Sequence, residues 1–161
     1  SNNGLELGLS VQAIRAFRVF GSFSYSNFTF KNYVRVTGAE ADTLNGNRLA
    51  GVPRYFTRLG IRAEPLPGFA LDVDHTLTSS VPADDDNAIW VDNWGAGVTN
   101  LRLSWFHAWT DFNVLPFIGV YNLQDKKYIS SVTINGFGGR VLEPAPLRNF
   151  YVGVELGFRT R

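Results

Sequence analysis

The stretch RYFTRLGIRAEPLPGFALDVDHTLT, residues 54–78, decides how this chain reads. In its first half Tyr55, Leu59, Ile61 and Ala63 alternate with Arg54, Arg58 and Arg62. After a break at 64–68, Phe69, Leu71, Val73 and Leu77 alternate with Asp72, Asp74, Thr76 and Thr78. Strict period-two alternation is the mark of a strand with one apolar face, and so short a break makes the pair a hairpin. A turn centred on Leu66 places Arg58 opposite Asp74 and leaves Arg62 and Asp72 one diagonal step apart. Opposite charges on neighbouring strands contribute about 0.2–1 kcal/mol per pair. Arg58, Arg62, Asp72 and Asp74 therefore read as a charge ladder on one face of a sheet, pinning its register.

The same period recurs outward from this hairpin. Strands are expected near 4–12, 17–30, 54–64, 69–79, 97–106, 112–122 and 149–159, about seven in all. Phe20 breaks the alternation of the second. The sixth, FNVLPFIGVYN, is poorly phased, and Pro116 within it cannot donate to a ladder, so a bulge or a covered edge is expected there. The links alternate in length: short at 13–16, 64–68 and 107–111, long at about 27–53, 79–96 and 123–149. Short turns at one end and long loops at the other are what a transmembrane β-barrel has, and strands of about ten residues are what a tilted membrane crossing needs.

Charge placement agrees. Glu6, Arg18, Arg58, Arg62, Asp72, Asp74, Arg102 and Glu155 all fall on the less apolar faces of their strands. An Arg facing lipid at mid-bilayer costs about 2–4 kcal/mol, whereas a polar lumen tolerates it. A soluble β-sandwich with one wet face predicts the same alternation. The aromatic residues separate the two: Phe17, Tyr25, Tyr55, Phe69, Trp105, Phe150 and Phe158 sit near strand ends, as interfacial girdles do.

Composition removes other classes. The chain has 161 residues, 45% of them hydrophobic and 18% charged, which is too apolar for disorder. A net charge of +1 gives no field for nucleic acid, and the absence of Cys excludes disulfides and thiolate metal sites. No nucleophile elbow, phosphate-binding Gly loop or dinucleotide fingerprint occurs, so no enzyme and no cofactor is expected. His75 and His107 lack metal-ligand spacing; His107 reads as part of a short turn in the interfacial belt. Asp84, Asp85 and Asp86 form a loop cluster of oxygen ligands, a weak Ca²⁺ candidate beside the plainer reading of a solvated loop. Trp90 and Trp94 lie in or near a long loop. They are candidates for stacking on a ligand, beside the alternative that they pack the loop onto a rim.

Three segments carry a family resemblance. GNRLAGVPRYFTRLGIRAEP, 46–65, is similar to the point in TonB-dependent receptors where a loop ends in G-x-x-L-x-G-V-P and begins a strand. YNLQDKKYISSVTINGFGGRVLEPAPLRNFYVGVELGF, 121–158, resembles the last two strands of that family, with Gln124 where the family usually has Phe. NNGLELGLSVQ, 2–12, resembles a recurrent barrel strand. In this likeness Asn122 and Asp125 terminate a strand, Gly136, Gly138 and Gly139 let the last loop turn, and Phe158 is the closing aromatic, followed by Arg159, Thr160 and Arg161.

The resemblance implies an all-β fold, antiparallel strands in up-and-down order forming the C-terminal part of a large transmembrane barrel in the bacterial outer membrane. It implies import of a scarce nutrient, with an iron–siderophore complex as default cargo. The implied partners are outer-membrane lipid, the remainder of the barrel and its plug domain, TonB through sequence outside this chain, and a small-molecule metal chelate. Such barrels have 22 strands, so residues 1–161 are expected to be a segment without the plug, or one chain of a split receptor. The alternatives are a barrel-derived structural or scaffold subunit of a membrane assembly and a soluble lipocalin-like carrier.

Overall fold

The computed structural model describes residues 1–95, 97–137 and 142–158, and among these there is no α-helix. The strands are β1 (Asn2–Ile14), β2 (Phe17–Phe28), β3 (Val34–Thr37), β4 (Glu40–Thr43), β5 (Tyr55–Ala63), β6 (Phe69–Thr78), β7 (Val81–Pro82), β8 (Trp90–Val91), β9 (Val98–Trp105), β10 (His107–Ala108), β11 (Phe112–Tyr121), β12 (Ile129–Val132), β13 (Leu142–Pro144) and β14 (Asn149–Phe158). One antiparallel sheet runs β1-β2-β5-β6-β9-β11-β14, with β10 also on β11. The seven long strands are consecutive in the chain apart from the loop hairpins, which is the expected up-and-down order. The sheet is part of a barrel and is not closed: among the described residues β1 pairs only with β2, and β14 only with β11.

Backbone sterics at the β5–β6 hairpin correct its expected register. The turn is Leu66-Pro67-Gly68-Phe69, closed by Phe69 N–H on Leu66 O at 3.0 Å, with Gly68 at φ 81°. Pro at the second position and a positive-φ Gly at the third are what a type II turn requires. The turn therefore centres one residue later than Leu66. Arg62 faces Asp72 directly, and Arg58 faces Thr76. The partner of each residue moves by two, so every side chain keeps its face.

The sixth strand is regular. β11 pairs with β14 without a slip from Phe112↔Phe158 to Tyr121↔Asn149, Pro116 included, so no bulge forms. The missing N–H is felt on the other side. There the pairing stops at Phe117↔Ser104 and resumes at Val114↔His107 in the same register. β9 and β10 are thus one strand interrupted opposite Pro116. His107 lies in that strand and not in the turn, which is shorter than expected. The poor phasing arises because apolar Leu115, Phe117 and Tyr121 share the polar face.

Packing is inverted relative to a water-soluble domain. In the wall Leu7, Leu9, Leu59, Val152 and Val154 are exposed, Val152 to 81%. The most buried cluster lies outside the wall, in Val81, Ala83 and Val91, with Trp94, Ile129 and Val132 against it. Soluble monomers rarely leave so large a contiguous apolar face in water. That face ends in aromatics. At the long-loop end Tyr25 pairs with Tyr55. At the short-turn end Phe69, Trp105, His107, Trp109 and Phe112 follow one another at ring separations of 6.0, 5.4, 4.1 and 4.5 Å.

The three long loops, 29–54, 79–97 and 122–148, each fold back as a hairpin: β3–β4, β7–β8 and β12–β13. Period two does not reveal these hairpins in the sequence, because paired segments of two to four residues are too short to show it. Gly138, Gly139, Arg159 and the tail 159–161 lie outside the described residues.

Candidate functional site

The face opposite the apolar one carries the charges, and backbone pairing sets their spacing. Arg62 Nη1 donates to both oxygens of Asp72 at 3.0 Å, and its Nε to Glu64 at 2.8 Å. Arg58 Nη2 reaches diagonally to Asp74 at 3.2 Å. Asp74 also accepts from Asn100 Nδ2 at 3.0 Å. The ladder continues across the sheet: Arg102 donates to Glu155 at 3.1 Å and lies 4.1 Å over the Phe117 ring. The Arg102 Nε is buried and has no hydrogen-bond partner among the described residues. These pairs are partly exposed, so each contributes about 1 kcal/mol or less.

Aromatic rings bridge this polar face where a neighbouring strand supplies glycine. Phe20, the residue that breaks the alternation of β2, lies across Gly60, where an added Cβ would stand 2.1 Å from its Cζ. Tyr151 covers Gly119 in the same way and stacks on Tyr121 at 4.6 Å. The charged groups and rings together line a groove of about 400 Å³ that includes Arg58, Arg62, Asp74, Arg102, Tyr121 and Tyr151.

The loops form a cap over the long-loop end. Asp84, Asp85 and Asp86 are separately engaged: Asp84 accepts the Ala88 and Ile89 N–H groups, Asp85 bonds Asn135, and Asp86 pairs with Arg35 at 2.8 Å. Among the described residues no three His, Cys, Asp or Glu side chains come together as a metal site. Asp86, and after it Asp42, holds the Arg35 guanidinium well above its ordinary pKa. Arg48 is moved the other way, lowered first by burial and then by the charge of Arg54. Its guanidinium lies 5.4 Å from the centre of the Trp90 ring.

The two loop tryptophans part company here. Trp94 packs on the Val81 cluster and bridges to Ile129. Trp90 remains 41% exposed, its Nε1 donating to Asn87 O at 2.8 Å. Arg48 went unnoticed in the sequence because only the folded loops set it beside Trp90. Asn122 brackets the backbone of Lys126, accepting its N–H at 2.9 Å and donating to its carbonyl at 2.8 Å, while Asp125 accepts Arg148 N–H at 2.8 Å. Gln124, where Phe is usual, folds onto Thr99: its Oε1 accepts the Thr99 N–H at 3.0 Å and its amide donates to the Thr99 hydroxyl. That hydroxyl lies 2.7 Å from His75 Nδ1. This closed set of hydrogen bonds accounts for a polar residue at that position.

The siderophore receptor PiuA from Acinetobacter baumannii is similar over 95% of this chain and 21% of its own, at 18% identity and a TM-score of 0.76. The ferric preacinetobactin receptor BauA from the same organism is similar over 95% and 21%, at 18% identity and a TM-score of 0.73. The ferric yersiniabactin uptake receptor FyuA from Yersinia pestis is similar over 96% and 23%, at 20% identity and a TM-score of 0.70. At these identities the likeness is one of fold, and the chain spans about a fifth of each receptor's length. A family model described as TonB dependent receptor-like, beta-barrel, matches residues 1–123. Proteins of this kind are transport receptors of the Gram-negative outer membrane and not enzymes. The chain belongs to the TonB-dependent receptor β-barrel family.

Proposed function

We propose that this chain is the C-terminal wall of an outer-membrane transporter that imports an iron–siderophore complex in a TonB-dependent way. The observation that carries this reading is the inverted sheet, with an apolar face bounded by aromatics outside and ion pairs on the other side. From Phe17 to Tyr25, eight residue steps at about 3.3 Å with a tilt near 40° span roughly 20 Å, close to the apolar band of such barrels. The open edges of β1 and β14 carry unpaired backbone groups, each costing several kcal/mol in hydrocarbon, so the remainder of the barrel must cover them. A soluble lipocalin-like carrier would bury its apolar face around its ligand, and this sheet exposes it.

The groove of Arg58, Asp74 and Arg102 would line the lumen against the plug, and the cap would face outward. Trp90 with Arg48 offers a ring and a cation to an anionic, planar chelate, while Trp94 holds the cap together. In cells whose own receptors are deleted, the native protein supports uptake of a radiolabelled ferric siderophore, and loss of TonB abolishes it. Trp90→Ala lowers uptake about tenfold at unchanged receptor level, the scale of one lost ring contact. Uptake that persists without TonB would overturn the reading.

A further inference from the structure

The ties between the three loops run through side-chain amides and main-chain bonds alike; between the second and third loops Ile129 N–H donates to Asn93 O at 3.1 Å and Gly95 N–H to Ile129 O at 3.2 Å. Asn87 and Asn135 both sit in left-handed backbone, at φ 57° and 53°. Asn87, in the second loop, grips the first: its Oδ1 accepts Arg48 N–H at 2.8 Å and its Nδ2 donates to Arg48 O at 2.8 Å. Asn135, in the third loop, grips the second: its Oδ1 accepts Asp85 N–H at 3.0 Å and its Nδ2 donates to the Asp85 carboxylate at 2.9 Å. Backbone bonds add Gly51 N–H to Pro82 O at 2.8 Å and Asn135 N–H to Ala83 O at 2.9 Å. Arg35–Asp86 spans the first and second loops at the surface.

The core beneath the cap is small and comes from the second and third loops: Val81, Ala83, Val91 and Trp94 from the second, with Ile129 and Val132 of the third against them. Burying side chains the size of Val81, Ala83 and Val91 yields a few kcal/mol, about what fixing a handful of loop residues costs. The first loop is tied to this core through its hydrogen bonds to the second. We infer that the three loops are one cooperative unit that opens and closes together, with the middle loop as keystone. Arg48 and Trp90 come from different loops, so their corner exists only while the whole unit is closed.

This inference rests on the inter-loop contacts and not on the cargo. Hydrogen exchange on the native protein, extracted in detergent from outer membranes, tests it. Asn87→Gly and, separately, Asn135→Gly remove one carboxamide while leaving the left-handed backbone unstrained. Each variant is expected to speed exchange about tenfold in 44–52, 81–91 and 129–135 together, with β2, β5 and β6 unchanged. Faster exchange confined to 44–52 in Asn87→Gly and to 129–135 in Asn135→Gly would overturn it. Should either variant fail to assemble, Arg35→Gln removes only the surface tie. A smaller rise shared by all three segments supports the unit, and a rise near Arg35 alone refutes it.

Discussion

The wall joins each strand to the next through continuous main-chain ladders, as β2 joins β5 from Phe17↔Ala63 to Tyr25↔Tyr55, whereas the cap joins its loops through side-chain amides, an ion pair and separate main-chain bonds such as Gly51 N–H to Pro82 O. The wall keeps its apolar residues on an exposed face, whereas the cap buries a small cluster around Val81 and leaves others, such as Val36 and Ile134, exposed. The two regions thus solve the same problem in different solvents. In hydrocarbon every backbone group must be paired within the sheet, and apolar side chains lose nothing by facing out. In water the loops need a core, and polar side chains can serve as connectors because their bonds compete only with water.

The sharpest way to break the contrast is to give the wall a surface suited to the cap. Leu59→Arg puts a charge on the apolar face of β5, next to Arg58 on the other, and is expected to destabilise the barrel by about 2–4 kcal/mol. Heat-modifiable migration in gels reads this as loss of the folded band. A milder intrusion is Gly60→Ala, whose Cβ would meet the Phe20 ring. A cost of about 1–3 kcal/mol is expected, largely relieved in the double variant Gly60→Ala with Phe20→Leu, by unfolding in urea. Smallest is the ladder itself. A double-mutant cycle on Arg58 and Asp74, both replaced by Ala, is expected to give a coupling of about 0.2–1 kcal/mol that shrinks at high salt. A coupling several times larger would mean that closing the barrel desolvates the pair.

Much of the wall was legible because period two survives every local irregularity. Leu59 against Arg58 and Val73 against Asp72 point to opposite faces whatever the turn does. The partners Arg58–Asp74 and Arg62–Asp72 were also legible, since shifting a register by two preserves faces. Which pair is direct and which diagonal was not, because Pro67-Gly68 moves the turn centre. Phe20 looked like a flaw until Gly60 lay beneath it. Gly60 and Phe20 are forty residues apart, and nothing local connects them. Pro116 marked a disturbance, but it takes the form of an interrupted pairing with the β9 side and not of a bulge, since a sequence does not say which neighbour a missing N–H would have faced.

By itself the sequence determined which residues face apart, because alternation acts over a few residues. Alternation alone does not separate a wetted sandwich from a membrane wall, since both alternate alike; the loop lengths and the aromatics at strand ends are what favoured the wall. The tertiary structure decided that, by leaving the apolar face of 54–78 outward and uncovered while pairing its arginines and aspartates inward. It also decided the cap. Asn87 with Arg48, Asn135 with Asp85 and Arg48 with Trp90 are contacts across loops, whose distances depend on where the strands beneath them end.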